Sequence, residues 1–184
     1  MKEFCAVFCF IEIIVFLQRK IYNMEQEKLP EFIAGIPTAK NSVKQRREII
    51  IKAYQSLLSD LMNKTKKKVI HNDYLDVDVH LIMHEGGKEA TNRGTFNWQS
   101  TYAVLNLKTI VKYAVALEGS VIYIPAKTTG NQKEHKYVNL AVLYYDFTDD
   151  EKSYLNFRVK LILGIKNDGR HVQYSVNKID IVKK

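Results

Sequence analysis

Cysteine is nearly missing from this chain. Cys5 and Cys9, both within the first ten of 184 residues, are the only thiols. The body therefore holds no disulfide framework and no thiolate zinc site, which suits a reducing compartment. Also absent are the local signatures of the commonest enzyme classes. There is no glycine-rich nucleotide loop, no Gly-x-Ser-x-Gly elbow, no His-Glu-x-x-His helix and no EF-hand loop. No internal repeat, low-complexity tract or second domain is signalled. A long apolar run is lacking too. Residues 4–17 are apolar except for Glu12, but a membrane-spanning helix usually needs ~20 residues. Gln18-Arg19-Lys20 follows where a signal peptide would place small residues for cleavage. Met24 opens a second, polar start. Residues 1–23 are thus expected to precede the true start or to form a short membrane-seeking anchor. The length argument favours the first reading, and membrane association depends wholly on the second.

What is present begins with charge. The net charge of +8 and a pI near 9.3 suit an anionic partner such as nucleic acid or a lipid surface. Hydrophobic residues at 46% and charged residues at 26% are the balance of a folded globular chain, long enough for one domain with a real core.

The C-terminal third reads as three strands, residues 137–147, 155–165 and 172–182. Each is rich in β-branched and aromatic residues with apolar–polar alternation. Asp168-Gly169 in the second break is a hairpin signal, because glycine takes the positive φ that the turn needs. An antiparallel meander is expected, with one face covered by earlier elements. Residues 24–40, with Pro30 and Pro37, read as an irregular lead-in to a domain over residues 41–184. A helix is expected over residues 41–63, with Ile50, Tyr54, Leu57, Leu58 and Leu61 on one face. Lys44, Arg46, Arg47, Lys52 and Lys64 lie on the other. Residues 75–84 alternate as a strand, and residues 85–94 read as a polar, glycine-bearing loop of the kind that carries sites. A second helix is expected over residues 100–117, closed by Gly119. Residues 121–124 suggest a short extended piece, and residues 128–135 a flexible lead into the meander. The fold class is α+β, two helices packed on one face of the meander sheet.

The chemistry-bearing residues are spread along this plan. His84, Lys88 and Arg93 belong to the loop, and His135 and Tyr137 to the start of the meander. Arg158 and Lys160 stand side by side on the polar face of its central strand. Tyr174 and Ser175 lie near its end. Together they suit metal-independent cleavage of RNA. A His or Tyr would exchange protons with the 2′-hydroxyl and the leaving oxygen, and Arg or Lys would neutralise charge on the phosphate. His135, Tyr137, Arg158 and Tyr174 are the catalytic candidates. His84, Lys88, Arg93, Lys160 and Ser175 are the substrate-binding ones. Each taken alone is more commonly a solvated sheet residue. No cofactor and no metal are expected. His80 and His84 on one strand would stand about 13 Å apart at ~3.3 Å per residue, too far to share an ion.

Four stretches carry a resemblance: residues 69–88 (Val-Ile-His-Asn-Asp-Tyr-Leu-Asp-Val-Asp-Val-His-Leu-Ile-Met-His-Glu-Gly-Gly-Lys), residues 106–114, Lys133-Glu-His-Lys-Tyr137, and residues 169–179. Over roughly residues 43–182 the chain resembles domains of the large polyvalent proteins of phages and mobile elements. Those domains are similar to the barnase, EndoU, colicin and RelE group of ribonuclease-like folds. The resemblance implies an RNase-like α+β domain, toxin- or effector-like, in the cytoplasm of a bacterial host. RNA would be its target, with an inhibitor or immunity protein as a possible further partner. His135 and Tyr137 match the family's His-Tyr lead into the meander, and Tyr174 its closing Tyr. Ser175 and Val176 stand where Asp and His are common, so the closing histidine is missing. An inactive RNA- or protein-binding accessory module is therefore the alternative expectation.

Overall fold

The structure is a computed structural model that describes residues 42–148 and 156–179. The apolar segment 4–17, the lead-in 24–40, the break at 149–152 and the expected strand end at 180–182 lie outside the described residues.

Helix α1 (Val43–Thr65) starts on a capping box. The Ser42 hydroxyl accepts from the Gln45 amide at 3.2 Å, and the Gln45 side chain accepts from the Ser42 amide at 2.8 Å. It ends where Lys66 turns left-handed, at φ 57°. Ile50, Tyr54, Leu58 and Leu61 are buried at the expected spacing. Arg46, expected on the solvated side, is buried instead and donates to the Thr95 carbonyl at 3.0 Å.

A hairpin follows, β1 (Val69–Asn72) against β2 (Val77–His80). The strand expected over 75–84 thus stops at His80. Past it the chain enters a π-helical turn at Met83–Gly87 and helix α2 (Lys88–Gly94), where a loop was expected. The cause is close packing. A Cβ on Gly86 would stand 2.1 Å from the Gln173 carbonyl oxygen, so only glycine lets the turn lie on that strand. Beyond the glycines, Glu89 and Arg93 pair at i,i+4 and support the helix.

The expected helix over 100–117 is two helices, α3 (Trp98–Leu105) and α4 (Leu107–Tyr113). Asn106 breaks them by turning its amide back onto the Tyr102 carbonyl at 2.9 Å, a local bond that competes with the helical ladder. The chain is extended by Ala114, and Val115 bridges to Tyr144, so Gly119 caps no helix. Strand β3 (Tyr123–Pro125) forms where a short extended piece is expected, and the short helix α5 (Gly130–Glu134) replaces the expected flexible lead.

The meander forms as expected, β4 (Tyr137–Phe147), β5 (Phe157–Lys166) and β6 (His171–Ile179), antiparallel throughout. It is the centre of a six-stranded sheet in the order β1-β2-β6-β5-β4-β3, with β2 and β6 parallel. Helices pack on one face, over Leu143, Leu161, Leu163 and Val176. There Tyr102 meets Phe147 edge-on at 5.3 Å, and the Tyr54 hydroxyl donates to Gln173 at 2.9 Å.

Two bulges re-aim side chains at one end of the opposite face. Lys166 is opposite Tyr137 while Ile165 is opposite Asn139, so Val138 is an extra residue in β4. Ile162 is opposite Ser175 while Leu163 is opposite Gln173, so Tyr174 is an extra residue in β6. Bulges of this kind turn neighbouring side chains out of the simple alternation. Tyr137 and Tyr174 thereby join Leu140 and Val172 in a second small core, with Ile82, Ala126 and Ile162 packed around it.

Candidate functional site

The site is built around the carboxylate of Glu85 in the π-turn. The Tyr137 hydroxyl donates to its Oε2 at 2.6 Å, and the Lys166 ammonium donates to its Oε1 at 2.8 Å. His84 Nε2 stands 3.8 Å from the same Oε1. The Glu85 side chain is 5% exposed and that of Lys166 18%, whereas His84 is 82% exposed. A buried pair therefore sits beneath an accessible imidazole.

Tyr137 links this carboxylate to the rest. Its ring lies over Gly164, where a Cβ would stand 2.5 Å from it, so the close seat requires glycine. The His135 ring is 5.7 Å away, the Tyr174 ring meets it edge-on at 5.4 Å, and Lys166 Nζ lies 5.8 Å from its centroid. Gln132 of α5 hydrogen-bonds Tyr174, while Glu89 and Arg93 of α2 act on it electrostatically. Asn131 reaches Glu89 at 3.5 Å. Residues of two short helical elements thus meet beside the Tyr174 ring.

The electrostatics follow from burial and bonding. Burial alone would push the Glu85 carboxyl up, but the hydrogen bonds from Lys166 and Tyr137 overcome it and hold the group below the usual carboxylate range. Burial, and then the bond to Glu85, push the Tyr137 phenol well up. Burial, and then the Glu89 charge, raise Tyr174. Near neutral pH both phenols keep their protons, so they act as donors and not as bases.

Of the residues expected from sequence, His135, Tyr137 and Tyr174 come together, and His84 reaches the same carboxylate. Arg93 lies beside Tyr174 but is paired with Glu89. Lys88 is exposed at the start of α2. Ser175 is buried at 1% exposure, with a hydroxyl that finds no hydrogen-bond partner among the described residues. Arg158 and Lys160 are not brought to this cluster. Arg158 is clamped by Asp146 through two bonds of 2.6 Å, and burial is outweighed there by that pairing. It stands eight positions before Lys166 on β5, about 26 Å away at ~3.3 Å per residue. Lys160, opposite Tyr144 and Asn177, is about 20 Å from that end on the same basis. Sequence reasoning missed Glu85, Lys166 and Gln132. Glu85 was hidden because its segment reads as a loop, and Lys166 because it closes a strand beside a turn.

Among the described residues, no three His, Cys, Asp or Glu side chains gather as a metal-ligand set. No described helix is long and apolar enough to cross a membrane. Comparison with protein-family models, with curated proteins and with solved structures returns no match.

Proposed function

We propose that this end of the sheet cleaves RNA without a metal, by attack of a 2′-hydroxyl on the adjacent phosphorus. One imidazole, His84 or His135, takes the 2′-hydroxyl proton. The 2′-oxygen bonds to phosphorus, and the bond to the 5′-oxygen breaks. The other imidazole gives that leaving oxygen a proton, leaving a 2′,3′-cyclic phosphate. Lys166, whose ammonium keeps donors beyond the one given to Glu85, neutralises charge on the phosphate. Glu85 is a positioning residue, holding Lys166 and Tyr137 in place. The observation that carries this reading is that one imidazole, His84, stands 3.8 Å from a buried carboxylate that also binds a lysine and Tyr137, while a second imidazole, His135, lies 5.7 Å from that tyrosine's ring. The net charge and the resemblance to ribonuclease-like domains support it.

The direct test is incubation with tRNA and total RNA in the presence of EDTA. Fragments ending in a cyclic phosphate are expected, and intact RNA at high protein excess would overturn the proposal. His84→Ala and His135→Ala should each slow cleavage about 100-fold or more, the usual scale of acid–base catalysis.

A second reading, RNA binding without cutting, is favoured by two features. Tyr137 and Tyr174 are only 6% and 5% exposed, and Val176 stands where the resemblance expects histidine. Uncut RNA whose affinity falls steeply with salt would select it, since phosphate binding releases counterions.

A further inference from the structure

Next to the Glu85 cluster, and sharing Tyr137 with it, lies an open groove of about 480 Å³. Lys127, Lys133, Lys136, Val138 and Asn167 line it, with Tyr137 as the wall it shares with the cluster. The three lysines are exposed, and among the described residues none of them pairs with a carboxylate. Their backbone is held in place. The Lys127 amide donates to the Gln132 side chain at 2.7 Å, and the Lys136 amide donates to the Lys133 carbonyl at 2.9 Å. Lys136 takes a left-handed φ of 57°, a position that glycine would fill more easily. Val138, 42% exposed, offers the groove an apolar surface.

Three cations on a fixed backbone around an apolar patch suit a phosphate and the flat face of a base. We infer that the groove binds one nucleotide of single-stranded RNA, next to the phosphodiester that the Glu85 cluster would cut. The inference rests on the proposed function for its position in the strand. The groove is a pocket of single-ligand size. An A-form duplex is instead recognised by shape across a long, shallow surface. A single strand with its base turned out is the form of RNA that fits.

The test uses the full chain and a non-cleavable 2′-O-methyl oligonucleotide, so that binding is read apart from cutting. Fluorescence anisotropy over a salt series compares the native protein with the triple variant Lys127→Ala, Lys133→Ala, Lys136→Gly. The glycine suits the left-handed position, and circular dichroism checks the fold. The triple variant should bind at least tenfold more weakly. Its slope of log affinity against log salt should be shallower by about 0.7, because one nucleotide brings one phosphate to the groove and each phosphate neutralised on a single strand contributes ~0.7. Lys52→Ala, on the exposed side of α1, is the control for general loss of charge. An unchanged slope in the triple variant would overturn the subsite, as would a duplex that competes equally with the single strand. Cleavage of ordinary RNA is scored separately. Lysine-dependent binding without cleavage would keep the subsite and remove the cleavage reading. Cleavage with lysine-independent binding would do the reverse.

Discussion

The Tyr137 hydroxyl bonds the Glu85 carboxylate at 2.6 Å across 52 residues of sequence. That bond ties the π-turn after β2 to the first residue of β4, and so closes the site from two distant parts of the chain. Tyr137→Phe keeps the ring over Gly164 and removes only the donor. It should cost about 1–3 kcal/mol, the scale of a buried hydrogen bond broken from one side. Urea denaturation measures this. A variant as stable as the native chain would mean that the bond does not hold the turn.

Glu85→Gln removes the charge that Lys166 faces. Lys166 is largely buried, so its ammonium would be left without compensation, at a cost of about 3–5 kcal/mol. The double variant Glu85→Gln, Lys166→Met removes both charges and should recover much of that loss. If the double variant is as damaged as the single one, the pair is not the source of the stability.

Stability should fall at both ends of the pH scale. The folded Glu85 carboxyl lies below its unfolded value, so its contribution is present above the usual carboxylate range. It is lost as pH falls through the depressed folded value. Tyr137, Tyr174 and Tyr54 are raised, in each case chiefly by burial. Their contribution is complete below the usual phenol range, about pH 10, and is lost as pH rises beyond it. Denaturation free energies measured from pH 3 to 11 check both limbs. Glu85→Gln should flatten the acid limb, and Tyr137→Phe part of the alkaline limb.

Gly164→Ala tests the seat of the Tyr137 ring. The added carbon would stand 2.5 Å from that ring, so the ring must move and carry its hydroxyl away from Glu85. Overpacking of this kind costs about 1–3 kcal/mol, and RNA cleavage should fall with it. Gly86→Ala should be worse, because the new carbon would meet the backbone oxygen of Gln173, which no side-chain movement relieves. Thermal melting that ranks Gly164→Ala below Gly86→Ala would contradict this.

The meander was legible because strand period is a local property, and residues 137–147 and their successors carry it in the open. Helix α1 was legible for the same reason, in its apolar spacing and its Ser42 cap. The hidden parts depend on interactions between distant residues. The burial of Arg46 is set by the Thr95 carbonyl, and the break at Asn106 by a side chain turning back on its own helix. The π-turn and α2 were hidden by Gly86-Gly87, which locally signal a loop but here permit close packing. In the site, His135, Tyr137 and Tyr174 could be named, but their meeting depends on two bulges that alternation does not reveal. Arg158 and Lys160 looked suited to a phosphate on one strand. Register then placed them at the other end of the sheet, with Asp146 already holding Arg158.

The most direct measurement compares the RNA cleavage rates of His135→Ala and Arg158→Ala, in EDTA, under single-turnover conditions. If cleavage occurs at the Glu85 end of the sheet, His135→Ala loses about two orders of magnitude while Arg158→Ala stays close to the native rate. Equal losses in the two, or a loss confined to Arg158→Ala, would place the chemistry elsewhere and contradict the site described above.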